Sequence, residues 1–150
     1  MDYSPLIAPV VVLVAWSLVM MAWLVVARLP AMKKAGIDLK TRVGGRGAQL
    51  DGVLPDESNW PGHNYVHLME QPTIFYAIIF ASILMGLDFP INVKLAWGYV
   101  IIRILHSIVQ ATFNRVIVRF TLFALSSLCL IGLTVHAAAR IIHDCGWFNG

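Results

Sequence analysis

From Pro5 to Ala27 the chain runs without a single charged residue. About 20 apolar residues in a helix cross the ~30 Å hydrocarbon core of a bilayer, so this run is long enough to span one. It reads as a retained span rather than a cleaved leader, because only Asp2 precedes it as a charge and the apolar stretch is too long. The rest of the chain points the same way. Charged residues make up 13% of its 150 residues, against about 25% in a soluble domain, and the mean hydropathy is +0.75. Such a chain lacks the polar surface a water-borne globule needs. The expected fold class is all-α: one integral membrane domain, a four-helix transmembrane bundle in contact with lipid.

The formal net charge of +3 does not indicate nucleic acid. Arg28, Lys33, Lys34, Lys40, Arg42 and Arg46 form one cluster directly after the apolar run, where a membrane protein carries its cytoplasmic positive charge. The expected spans are about 5–27, 63–87, 91–113 and 116–139, joined by a long polar loop at 28–61. Pro55 and Pro61 are expected to break any long helix in that loop, and Pro72 to kink the second span. Gly44, Gly45 and Gly47 follow no strand and lead into no Lys-Ser or Lys-Thr, so they are not a phosphate loop. The Lys/Arg distribution places the first and third connections in the cytoplasm and both termini on the other side. No internal repeat is present. Cys129 and Cys145 lie about 24 Å apart if one helix carries both, too far for a disulfide, and read as small hydrophobes.

Polar groups inside a membrane are costly, which makes them candidates for function. Arg103, His106, Gln110 and Asn114 recur at i, i+3, i+7 and i+11 and line one stripe of the third span. Asn64, His67 and Gln71 repeat the pattern on the second, with Glu70 three residues after His67. Both stripes approach the cytoplasmic end, where Arg28 and Arg119 also fall. A cationic, hydrogen-bonding pocket between helices is the natural inference. An ion pair between Arg103 and Glu70, with His106 and Gln110 as interhelical hydrogen-bonders, is the purely structural alternative. His63, His67, Glu70 and His106 also have a spacing that can hold a metal. Arg115 reads as a membrane-surface anchor, His136 as a core residue, Tyr65, Phe75 and Tyr76 as packing, and Trp147 and Phe148 as an interfacial belt.

Two stretches carry a resemblance. H-N-Y-V-H-L-M-E-Q-P-T-I-F-Y at 63–76 resembles the second-helix signature of the MAPEG proteins, the membrane-associated proteins in eicosanoid and glutathione metabolism. R-I-L-H-S-I-V-Q-A-T-F-N-R-V-I-V-R at 103–119 resembles their third helix and the turn into the fourth. The resemblance implies a homotrimer of four-helix subunits that binds glutathione between neighbours and is similar to the microsomal glutathione transferases. It further implies a transferase or peroxidase acting on lipophilic small molecules. Glu70, Arg103 and His106 match residues of the family's glutathione site, with Arg28, Asn64, His67 and Gln110 as further candidates to hold the cofactor. Arg119 matches the fourth-helix Arg near the thiol and is the candidate catalytic residue. His67 stands where the family usually has Asn, Gln110 where better-known members have Tyr, and Phe120 where some have Ser. Those departures keep open a non-catalytic member of the same fold that binds lipid, and no resident metal is expected under either reading.

Overall fold

The computed structural model describes residues 3–145; Trp147 and Phe148 lie outside them. It is all-helical among the described residues, with α1 Ile7–Lys34, a 3₁₀ turn Gly47–Leu50, α2 Asp56–Leu68, α3 Gln71–Leu84, α4 Pro90–Ala111 and α5 Val116–Asp144. Taking α2 and α3 together, four helical units are long and apolar enough to cross a membrane.

The helices begin and end where local chemistry dictates. α1 runs seven residues beyond the expected Ala27, so Arg28 is helical rather than part of a loop. It stops at Gly36, whose φ of 71° suits a residue without Cβ. Gly36 N–H donates to Lys33 O (3.2 Å) and Ile37 N–H to Met32 O (3.0 Å), closing the last turn in a Schellman motif. Ile37 then packs on Ala31, Met32, Leu50 and Leu54, a small core under the connecting segment. Lys33 and Lys34 occupy the last turn of α1, where the helix dipole favours cations.

Pro61 does not break a helix as expected: α2 begins at Asp56 and continues through it. The break comes at Pro72 instead, and it is a full interruption rather than a kink. A proline has no N–H to give, and its ring collides with the carbonyl four residues back. That carbonyl belongs to Leu68, the last residue of α2. Glu70 occupies the gap with φ −89° and ψ −92° before α3 begins.

α4 packs most closely on α5, and α1 on α2. Small residues permit the first approach: a Cβ on Gly98 would meet Cys129 Sγ at 3.3 Å, and one on Gly132 would meet Leu95 Cδ1 at 3.1 Å. Cys129 thus fills a helix contact, whereas Cys145 is exposed, not buried. Leu13, Met20, Phe75, Ile79, Tyr99, Val100 and Leu133 form the central core, with Phe75 and Tyr99 stacked at 4.3 Å. Val26, Leu84, Val116, Ile117 and Phe120 face outward. This inverts a soluble protein's distribution and suits a lipid solvent.

Candidate functional site

The two polar stripes of the sequence meet face to face. α2 and the start of α3 run antiparallel to α4, so their polar residues pair in layers. Nearest the turn between α4 and α5, Asn64 Nδ2 donates to Gln110 Oε1 at 3.0 Å. In the next layer the His67 and His106 rings lie 5.2 Å apart, and Arg103 reaches across to His67. In the third, Tyr99 O–H donates to Gln71 Oε1 at 3.4 Å, while Gln71 Nε2 donates to Ser127 Oγ on α5 at 2.8 Å. Asn64, Arg103, His106 and Gln110 are all buried. His136 also makes a polar contact rather than simply filling core: its Nδ1 lies 2.6 Å from Asn92 Oδ1, at the other end of the bundle.

Arg103 is 0% exposed, the largest fully buried side chain among the described residues. Its Nη2 donates to the His67 carbonyl at 3.1 Å, its Nη1 lies 3.4 Å from His67 Nε2, and its guanidinium sits 5.9 Å from the Phe123 ring centre. Its Nε has no hydrogen-bond partner. Among the described residues no carboxylate forms an ion pair with it. Glu70 instead meets His67, with Oε2 3.0 Å from Nδ1, and keeps its side chain 63% exposed. The structural alternative of an Arg103–Glu70 pair is therefore not what the chain forms.

Arg119, in the first turns of α5, is held from the preceding turn. Its Nη1 donates to Asn114 Oδ1 at 2.7 Å, and its Nε is buried without a partner. Asn114 does not continue the α4 stripe. It leaves the helix with φ 50°, the one non-glycine residue with positive φ among those described, a region Asn tolerates better than most. Its own N–H caps α4 on Val109 O at 2.8 Å.

A cavity of about 240 Å³ opens beside these groups, lined by His67, His106, Val116, Arg119, Phe120 and Phe123. One wall offers imidazoles and a guanidinium; the other is apolar and continues onto the lipid-facing side of α5. Arg28 stands apart from it. Its guanidinium lies against two glycines, so that a Cβ on Gly62 would fall 2.6 Å from Cζ, and one on Gly47 2.6 Å from Nη1. It braces α1 against α2 and the connecting segment. His63 is also drawn away, to Asp51 Oδ1 at 2.8 Å. The His63, His67, Glu70 and His106 metal constellation is accordingly not assembled, and among the described residues no three His, Cys, Asp or Glu side chains gather in a metal-holding group.

The residues that sequence reasoning missed are Tyr99, Ser107, Phe123 and Ser127. Tyr99 lies four residues before Arg103 and extends the same stripe by one turn. Ser107, buried with an unpartnered Oγ, lies four residues after Arg103 and three before Gln110, on the same stripe; Ser127 carries no such periodic signal.

Compared with known protein families, the chain matches the MAPEG family model over residues 6–139, nearly its whole length. The chain belongs to the MAPEG family. Membership makes it a multi-pass membrane protein of the family associated with glutathione and eicosanoid metabolism, which includes glutathione transferases and also members that are not enzymes. No curated protein and no solved structure matches it.

The site's donors fit the ligand that membership suggests. Glutathione carries two carboxylates, an ammonium group and a thiol. Arg119 lines the cavity, and guanidinium is the natural partner of a carboxylate; Arg103 lies behind His67, wholly buried, with its Nε unpartnered. Glu70 is exposed enough to accept from an ammonium group.

Proposed function

We propose that this MAPEG protein is a membrane-bound glutathione-dependent transferase, with peroxidase activity where the substrate is a lipid hydroperoxide. The observation that carries the reading is Arg103, a fully buried guanidinium with no carboxylate partner, beside an apolar-walled cavity that holds a second guanidinium, Arg119. A buried charge is costly unless compensated, and an anionic ligand supplies the compensation. In this reading Arg103, Glu70 and His67 bind glutathione, with His106, Asn64 and Gln110 supporting them, and Arg28 holds the end of α1 in place. When bound, glutathione supplies the sulfur nucleophile. Arg119 favours the negative charge on that sulfur, while Val116, Phe120 and Phe123 admit a lipophilic electrophile from the bilayer and exclude water.

The chain is further proposed to act as a homotrimer, with its site facing the cytoplasm and both termini on the opposite side, as the Lys/Arg cluster after Ala27 favours. The test is incubation of the purified protein with glutathione and a panel of lipophilic electrophiles and hydroperoxides. Conjugates or oxidised glutathione are expected. A second reading, a non-catalytic lipid-binding member, draws on the same apolar wall and on Gln110 being committed to Asn64. It predicts co-purifying lipid and no turnover of any of these compounds.

A further inference from the structure

His67 is set up as more than a binding group. Glu70 Oε2 lies 3.0 Å from its Nδ1. An ionised carboxylate only accepts, so Nδ1 carries the hydrogen. The other ring nitrogen then bears the lone pair, as its neighbour requires: Arg103 Nη1, which only donates, approaches Nε2 at 3.4 Å. Two independent neighbours thus fix the same tautomer. The contact from Arg103 is long for a hydrogen bond, and its guanidinium is anchored separately by the His67 carbonyl at 3.1 Å, so Nε2 can take another partner without releasing Arg103. The ring lines the same cavity as Arg119. An imidazole in a cavity wall, held by a carboxylate at one ring nitrogen, is the arrangement by which a histidine is oriented to receive a proton at the other.

We infer that His67, oriented by Glu70, is the base that takes the thiol proton when glutathione binds. The inference rests on the proposed function above. The S–H bond breaks, an N–H bond forms at Nε2, the electron pair stays on sulfur, and no oxidant or reductant is consumed. The groups facing the ring are Glu70 beside it, Arg103 and His106 from α4, and Arg119 and Phe123 from α5. Glu70 balances the charge the ring gains, and Arg119 faces the charge left on sulfur. His106 has neither a carboxylate nor any other hydrogen-bond partner among the described residues to orient it, which is why the base is assigned to His67.

Counting protons tests this without any turnover. At about pH 7.5, an ordinary imidazole with a pKa of about 6.5 is neutral and an ordinary thiol with one of about 8.5 is protonated. Glutathione is added to the purified protein, thiolate is read from its ultraviolet absorbance, and released protons are measured by calorimetry in buffers of different ionisation enthalpy. The wild type is expected to form thiolate while releasing almost no protons, because His67 retains them. His67→Asn is expected to release close to one proton for each thiolate it forms. His67→Gln repeats the test should the Asn variant fail to fold. Glu70→Gln, a change on an exposed side chain, is expected to move thiolate formation at saturating glutathione to higher pH. A wild type that releases one proton per thiolate, or a Glu70→Gln curve superimposed on the wild type, would overturn the assignment and leave the proposed function standing. No thiolate in the wild type would remove both.

Discussion

Arg119 Nη1 and Asn114 Oδ1 lie 2.7 Å apart, and the link ties the guanidinium of a helix to the turn that precedes it. Asn114 serves two ends at once, capping α4 through its N–H and aiming Arg119 through its side chain. Its left-handed backbone makes the two roles separable. Asn114→Gly keeps the conformation, since glycine adopts positive φ freely, and removes only the acceptor. The expected outcome is a thermal midpoint within a few degrees of wild type, with weaker stabilisation of the bound thiolate. Asn114→Asp keeps the link and adds a negative charge beside Arg119, so it is expected to suppress the thiolate more strongly. Thermal unfolding in detergent and ultraviolet titration with glutathione check both.

Arg103 separates binding from stability. A structural ion pair loses about 3–5 kcal/mol when one partner is removed. Arg103 has no such partner within the described chain, so Arg103→Met is expected to leave the thermal midpoint unchanged or raise it. Hydrogen bonds to a charged group contribute about 1.5–3 kcal/mol, and the variant is expected to lose roughly 10- to 100-fold in glutathione affinity. Equilibrium binding alongside thermal unfolding measures both quantities. A large drop in stability with unchanged affinity would return Arg103 to a structural role.

Asn64 and Gln110 pair in a buried layer between α2 and α4. Replacing one strands the polar group of the other, at a cost of about 1–3 kcal/mol, whereas replacing both with apolar residues of similar shape comes close to neutral. Asn64→Leu and Gln110→Leu are each expected to destabilise the protein, and the double variant to recover most of the loss. The double-mutant cycle in denaturant or heat gives the coupling directly.

Gly62 lies under the Arg28 guanidinium, and a Cβ there would fall 2.6 Å from Cζ. In an unencumbered helix, Gly→Ala gains about 1 kcal/mol. Gly62→Ala is expected to destabilise the native chain by displacing Arg28, and to stabilise it in an Arg28→Ala background. A reversal of sign between the two backgrounds, read from thermal unfolding, identifies Arg28 as the brace.

The bundle was legible in the sequence because its signal is long: the charge-free run to Ala27 and the polar stripes through Arg103 and His67 leave one arrangement of helices in a membrane. Both stripes are expected at the same end of the bundle; that they pair layer by layer, Asn64 on Gln110, comes only from the structure. What escaped was directional. The i, i+3 spacing makes Glu70 a neighbour of His67, yet leaves an ion pair with Arg103 open, because the choice depends on the break at Leu68–Gln71 and the unusual backbone of Glu70. Asn114 read both as the next residue of the α4 stripe and, with Arg115, as a tight turn; the turn is what forms, and a positive φ takes Asn114 out of the helix and onto Arg119. Arg28 read as a ligand group from its place at the helix end; only the loop folding back brings Gly47 against it.

The most direct measurement is an ultraviolet titration of the purified protein with glutathione near neutral pH, comparing wild type with Arg119→Ala. A saturable thiolate absorbance in the wild type that is lost in the variant is expected, since Arg119 is the cation facing the cavity from α5. Absence of the signal at millimolar glutathione, or an equal signal in Arg119→Ala, would contradict a site built to activate the thiol there.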